Sequence, residues 1–224
     1  MSRVSPTDGV IQEAIALYRK HFAHLFIVAF VIFAAIGVLQ ALAASADNVL
    51  ALLIASALSV IGYFLVQAAL VEAVSDIRDG RADLSIGNTV SRGASRIGSV
   101  ALASIGAGIA IGIGLVLLIV PGLVLLTWWA VIVPVIVLER VGALDSFSRS
   151  RELVRGWDLK VFGVIVLETL LLIGVSIILG LLMAPFPDGL QTFLSNVLSG
   201  SLTGPFSALI STLLYFRLKG ARVA

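Results

Sequence analysis

Six long runs of apolar residues, separated by short polar stretches, set the pattern of this 224-residue chain. A run of about 20 apolar residues with few charges is long enough to cross a bilayer as a helix. None of the runs shows the alternation of apolar and polar residues that membrane-spanning barrel strands require. The pattern therefore predicts an all-α integral membrane protein with six transmembrane helices. The predicted spans are Phe22–Ala46, Val49–Val74, Ser99–Val120, a segment from a turn at Pro121-Gly122 to Glu139, Val161–Ala184, and Leu190–Leu218, the last interrupted at Gly204-Pro205.

The composition agrees with this class. Apolar residues make up 59% of the chain and charged residues 12%, whereas a soluble domain has about 45–50% and about 25%. The mean hydropathy is +1.12. The absence of cysteine excludes disulfides and thiolate chemistry. We expect residues 1–224 to form a single membrane domain without a soluble catalytic domain.

The placement of positive charge predicts the orientation of the spans. All 15 lysine and arginine residues lie in the two terminal segments or in the connections after the second and fourth spans. The three opposite turns contain neither residue type. Because cytoplasmic loops carry an excess of Lys and Arg, both termini are expected in the cytoplasm.

A short amphipathic helix is predicted before each odd-numbered span. Apolar positions recur there at spacings of three and four residues, which is the helical period. Arginine occupies the opposite face, as is typical of helices in the headgroup region. Ser85 is a candidate cap for the second of these helices. The face before the fifth span consists of Ala143, Phe147, Ser150, Val154 and Trp157.

The order of amphipathic helix, span, turn and span therefore occurs three times. This order predicts three hairpins with interfacial helices on the cytoplasmic side. It is also consistent with a threefold repeat over residues 8–74, 85–139 and 143–218. Basic connections alone would produce a similar pattern in any hairpin protein, so a repeat and a mere resemblance of connections both stay open.

Two segments resemble a known family. Pro134–Glu139 (PVIVLE) and Ser148–Trp157 (SRSRELVRGW) are similar to the membrane domain found beside glycerophosphoryl diester phosphodiesterases and to related stand-alone six-helix bacterial membrane proteins of unassigned function. The sequence LYFR at 214–217 and Asp79-Gly80-Arg81 also fit that layout. The resemblance implies a bacterial cytoplasmic (inner) membrane location. It does not imply phosphodiesterase activity, because that activity belongs to a separate soluble barrel.

One acidic residue, Glu168, lies well inside a predicted span. A carboxylate in hydrocarbon is costly and often marks an ion or proton pathway, although it also serves to hold helices together. Hydroxyl residues recur every four positions along the sixth span, which indicates either a packing seam or a polar groove. Together these features predict a candidate intramembrane polar site at Glu168, Ser199, Thr203 and Ser207.

A second candidate site lies at the cytoplasmic interface. Arginines on the helix before the fifth span are placed to attract anionic lipid, each by about 1 kcal/mol. Glu139 ends the fourth span, and Arg151 or Arg155 is expected to fold back to it. Gly108 and Gly112 are expected to allow close helix contact. The candidate headgroup or interfacial residues are Arg149, Arg151, Arg155, Glu139 and Trp157.

The remaining residues favour no chemistry. His21 and His24 have no third ligand nearby, so no metal site is expected, and no cofactor-binding pattern is present. Without a catalytic constellation, an enzyme is not expected. The function favoured is a non-catalytic membrane protein that scaffolds, assists or regulates a membrane partner or binds lipid. The alternative is a small-molecule or lipid transporter that uses Glu168 and the polar face of helix six. Expected partners are membrane lipids, in particular anionic ones, and a membrane protein or a second copy of the chain, but no nucleic acid.

Overall fold

The structure, a computed structural model, describes residues 5–46, 48–78 and 86–223. Within these ranges all regular secondary structure is helical. The helices are α1 Val10–Lys20, α2 Phe22–Ser45, α3 Val49–Arg78, α4 Ile86–Ala94, α5 Ile97–Leu117, α6 Ile119–Trp128, α7 Ile132–Glu139, α8 Ala143–Val154, α9 Asp158–Met183 and α10 Asp188–Val223.

Six segments of the described chain are long and apolar enough to cross a membrane. They are α2, α3, α5, the α6–α7 pair, α9 and α10. The predicted number of spans and the all-helical class are thereby confirmed, and the chain is a multi-pass membrane protein. The predicted cap at Ser85 and the Asp79-Gly80-Arg81 segment lie outside the described residues.

The turn between the third and fourth spans lies three residues earlier than predicted. Leu118 is the residue that leaves the helical conformation, with φ −155° and ψ 121°. Pro121 and Gly122 belong to the first turn of α6 instead. Proline fits there because the first N–H groups of a helix have no intrahelical partner in any case. Further along, residues 129–131 form a turn just before Pro134, whose ring prevents continuous helical bonding at that point.

The predicted interruption of the sixth span is wrong. Helix α10 runs through Gly204 and Pro205 without a break. A proline clashes with the Cβ of the residue before it when that residue is helical, and Gly204 has no Cβ. Both residues are buried, and a Cβ on Gly204 would lie only 3.5 Å from Leu70 and 3.6 Å from Phe33. Gly204 and Pro205 therefore lie where α10 packs against α2 and α3.

Helix α10 lies at the centre of the bundle. It packs against α1, α2, α3, α7, α8 and α9. Of its spanning window 61% is buried, whereas the other spans bury 11–39%. Burial explains why α10 has the lowest mean hydropathy of the spans, 1.4 against 2.3–2.7. A helix surrounded by protein does not need to be apolar on every face.

Helix α1 is attached to α10 by polar contacts. The Tyr18 hydroxyl donates a hydrogen bond to the Leu202 carbonyl at 2.9 Å. Burial raises the pKa of Tyr18 to about 12, so this hydroxyl remains a donor. Near the other end of α1, Arg217 forms an ion pair with Glu13 and donates to the Asp8 carbonyl.

Candidate functional site

Two predicted residues of the intramembrane site are in direct contact. The Ser207 hydroxyl on α10 donates a hydrogen bond to Oε1 of Glu168 on α9. Glu168 lies ten residues into α9, which places it about 15 Å along the helix axis from the first residue of α9. Within the described chain no basic residue forms an ion pair with this carboxyl.

Glu168 and Ser207 line a cavity of about 450 Å³ between the helices. Helices α3, α5, α6, α7, α9 and α10 all contribute to its wall, together with the turn after α6. This volume lies within the range of small-molecule sites, roughly 300–1,000 Å³. Besides the pair, the polar or aromatic lining residues are Tyr63, Phe64, Gln67, Ser104, Trp129 and Ser211.

The other two predicted residues of this site are not in the cavity. Thr203 donates a hydrogen bond to the Ser199 carbonyl at 2.7 Å, one turn back along α10. Within the described residues, the part of the hydroxyl face that reaches the cavity is Ser207 and Ser211. The prediction missed Gln67 because a single amide in an apolar span carries no periodic signal.

At the other candidate site, Glu139 connects three helices. Arg149 on α8 binds it with two hydrogen bonds, Nε to Oε2 at 2.8 Å and Nη2 to Oε1 at 3.1 Å. From α10, the Tyr215 hydroxyl donates to Oε1 at 3.0 Å, and Lys219 Nζ lies 3.1 Å from the same oxygen. The Glu139 side chain is only 13% exposed. These contacts attach the end of α7 to α8 and α10.

The partner of Glu139 differs from the prediction. Neither Arg151 nor Arg155 folds back to it; Arg149 does so instead. Arg149 also bonds Glu152 at 2.8 Å. Two hydrogen bonds raise the pKa of Arg149; the bond to Glu139 contributes more and the bond to Glu152 less. Arg140, which follows the last residue of α7, has a left-handed conformation with φ 57°, and α8 packs against α7.

The two remaining arginines border a polar pocket of about 550 Å³. The Arg151 guanidinium stacks on the ring of Trp128 at 3.7 Å from its centroid. Arg155 is exposed, and its carbonyl accepts a hydrogen bond from Arg222. Neither guanidinium forms an ion pair with a described residue. Trp157, the last predicted interfacial residue, is half-buried, and Lys160 lies over its ring.

The acidic residues of this pocket already have donors. Asp158 accepts the Trp128 indole N–H at 3.0 Å and the Gly156 amide at 2.9 Å. Glu152 is bonded by Arg149, as described above. The pocket therefore contains two guanidinium groups and two carboxylates, and the carboxylates bond to donors other than Arg151 and Arg155.

An apolar groove of about 430 Å³ adjoins this pocket. It runs between α6 and α9 and is lined by Val120, Leu123, Val124, Leu159 and Phe162, among others. The one hydroxyl in it, Thr127, bonds the Leu123 carbonyl at 2.8 Å. Trp128 and Asp158 border both the groove and the polar pocket. The two spaces are therefore adjacent, one apolar and the other lined by arginines and carboxylates.

The sequence from 82 to 218 matches the family described as a domain of unknown function, DUF7847. The matched segment covers more than half of the chain. No curated protein and no solved structure matches the chain.

Proposed function

The chain belongs to the DUF7847 family of domains of unknown function, and we propose that it is a non-catalytic multi-pass membrane protein that binds anionic lipid at its cytoplasmic face and so assists or scaffolds a membrane partner. The position of the apolar groove beside the pocket of Arg151 and Arg155, with Trp128 and Asp158 bordering both, supports lipid binding. A phospholipid has the same division, with acyl chains joined to an anionic headgroup. The partner is a second membrane protein or a second copy of the chain.

The proposed arrangement is three hairpins with α1, α4 and α8 at the cytoplasmic interface of a bacterial inner membrane. The 15 basic residues support this orientation.

The chain bends in a similar conformation before each odd-numbered span, at His21 (φ −114°, ψ 23°), Arg96 (φ −113°, ψ −1°) and Trp157 (φ −122°, ψ 12°). Val131, inside the fourth span, has the same conformation (φ −116°, ψ 21°), so the bends alone do not distinguish a threefold repeat from similar connections. When Arg19, Arg96 and Arg155 are aligned, His21 and Trp157 each lie two residues after the aligned arginine. In the second unit the bend is at the aligned arginine itself, Arg96. The likeness to the phosphodiesterase-associated membrane domain remains part of this proposal.

Removal of the two free guanidinium groups should weaken the binding of anionic lipid. Each cation near the headgroups attracts an acidic lipid by about 1 kcal/mol, so Arg151→Gln with Arg155→Gln should reduce the preference for phosphatidylglycerol over phosphatidylcholine roughly tenfold or more. The measurement is quenching of Trp128 fluorescence by each lipid brominated on its acyl chains. Trp129 and Trp157 are replaced by Phe in all samples, so that Trp128 is the reporter.

The matched control removes two exposed charges elsewhere on the same predicted face, with Arg19→Gln and Lys20→Gln. These residues end α1 and do not border the groove. The control should retain the wild-type preference. An equal loss in both double variants would show that only the overall charge of the face matters, and it would remove the case for a lipid site at α6 and α9.

The cavity around Glu168 supports a second candidate, a small-molecule or lipid transporter. Transport sites are found in cavities between spanning helices that are bordered by a carboxyl and by hydroxyl groups, as this cavity is. The observation that favours this candidate is the hydrogen bond between Ser207 and Glu168, because both residues line the cavity.

Transport through this cavity requires that water reach it. The chain has no cysteine, so a single Ser211→Cys substitution provides a clean probe. A membrane-impermeant methanethiosulfonate should modify it at least tenfold faster than Leu170→Cys, which lies on the exposed surface of α9. If both cysteines are equally unreactive from both sides of the membrane, the cavity is dry and the transport candidate fails.

A further inference from the structure

The cavity around Glu168 is acidic and has no internal counter-ion. The residues that line it include one carboxyl group and no lysine, arginine or histidine. Ser207 provides one hydrogen bond to Oε1, which leaves most of the acceptor capacity of the carboxyl unused. A buried carboxylate without a cation is unfavourable, so this group either takes up a proton or is accompanied by a positive charge that enters the cavity.

Aromatic rings line the same cavity as the carboxyl. Tyr63, Phe64 and Trp129 line the cavity, and the Trp129 ring is held by an edge contact with Phe147 at 4.8 Å between centroids. Aromatic faces attract cations by about 0.5–2 kcal/mol, and they do so best when the cation is poorly hydrated. One carboxyl and several rings are therefore arranged around a single space of about 450 Å³.

We infer that this cavity binds a monovalent organic cation, with its charge at Glu168 and its apolar groups against Tyr63, Phe64 and Trp129. A metal ion would need several oxygen ligands at short distance, and no group of three acidic or histidine side chains suited to a metal occurs among the described residues. An anion would face the carboxyl with no compensating base. The inference assigns a class of ligand to the proposed transporter. Its biological role rests on that proposed function.

Binding can be tested without any transport. Tetraphenylphosphonium is the probe, and equilibrium dialysis against the full chain in phosphatidylcholine nanodiscs measures its affinity. We expect saturable binding at one site per chain, weakened at least tenfold by Glu168→Gln. Glu152→Gln removes the same charge from the exposed surface and should leave binding unchanged. Tetraphenylborate, which has the same shape and the opposite charge, should not distinguish the wild type from Glu168→Gln.

A second measurement uses only the wild-type chain, in case Glu168→Gln does not fold. Dicyclohexylcarbodiimide modifies carboxyl groups in apolar surroundings, and mass spectrometry of the peptides locates the adduct. Tetraphenylphosphonium, or the aliphatic cation tetrapropylammonium, should slow modification of Glu168 at least fivefold. The inference is overturned if neither cation protects Glu168, or if Glu168→Gln binds the phosphonium as tightly as the wild type. Binding that persists while Ser211→Cys stays inaccessible would retain the cation site and reject transport.

Discussion

Glu139→Gln should be among the most destabilising single changes to the charged residues of this protein. The substitution leaves Arg149 and Lys219 without their shared anion while keeping the size of the side chain. Breaking a buried ion pair costs 3–5 kcal/mol, and because Arg149 and Lys219 are partly exposed we expect a loss of about 2–3 kcal/mol here. The free energy of unfolding in mixed micelles, obtained by titration with sodium dodecyl sulfate, measures this loss.

The control is Glu152→Gln, which removes the other anion of the same arginine. Glu152 is 65% exposed, whereas Glu139 is 13% exposed. Exposed ion pairs contribute about 0–1 kcal/mol, so this variant should be nearly as stable as the wild type. Equal effects of the two substitutions would mean that Glu139 does not connect α7 to α8 and α10.

The second large effect is expected at the contact between α5 and α6. A Cβ added to Gly122 would lie 2.5 Å from Leu115 Cγ and 2.6 Å from the Leu115 backbone nitrogen. The side chain can rotate away, but the backbone nitrogen can move only if the helix moves. Gly122→Ala should therefore lower the free energy of unfolding by about 2 kcal/mol, as overpacking of a tight contact does. The same titration measures it.

Gly112→Ala is the matched control within the same pair of helices. No atom lies within 4 Å of a Cβ built on Gly112. Alanine is also the better helix former by up to about 1 kcal/mol. The control should thus be neutral or slightly stabilising. If Gly112→Ala proves as harmful as Gly122→Ala, the contact between α5 and α6 is not the tight one.

These glycines also show where sequence reasoning reaches its limit. The spacing of Gly108 and Gly112 predicted a close contact, yet a Cβ on either residue would meet nothing within 4 Å. The tight approach is at Gly114 and Gly122 instead. Periodicity identifies a face of small residues, but the partner of that face is set by tertiary packing. The long apolar runs, in contrast, predicted the spans well, because length and hydropathy are properties of the chain itself.

The candidate sites were predictable to different degrees. Glu168 is identifiable from sequence because a charge in an apolar run is rare, and the four-residue spacing of hydroxyls places Ser207 on a face towards a neighbour. The choice of Arg149 over Arg151 as the partner of Glu139 depends on how α8 packs against α7, which no pattern in the sequence reveals. The groove between α6 and α9 joins segments about 30 residues apart, so only the folded chain shows it.

The central position of α10 also has a consequence for biosynthesis. Ribosomes make α10 after all six of the helices that it contacts. The surfaces of those helices that α10 covers stay uncovered until it has been translated. Its low hydropathy gives it the weakest intrinsic tendency of the spans to enter lipid from the translocon. Membrane insertion of α10 is therefore expected to depend on helices already in place, so that the bundle is completed from its periphery inward.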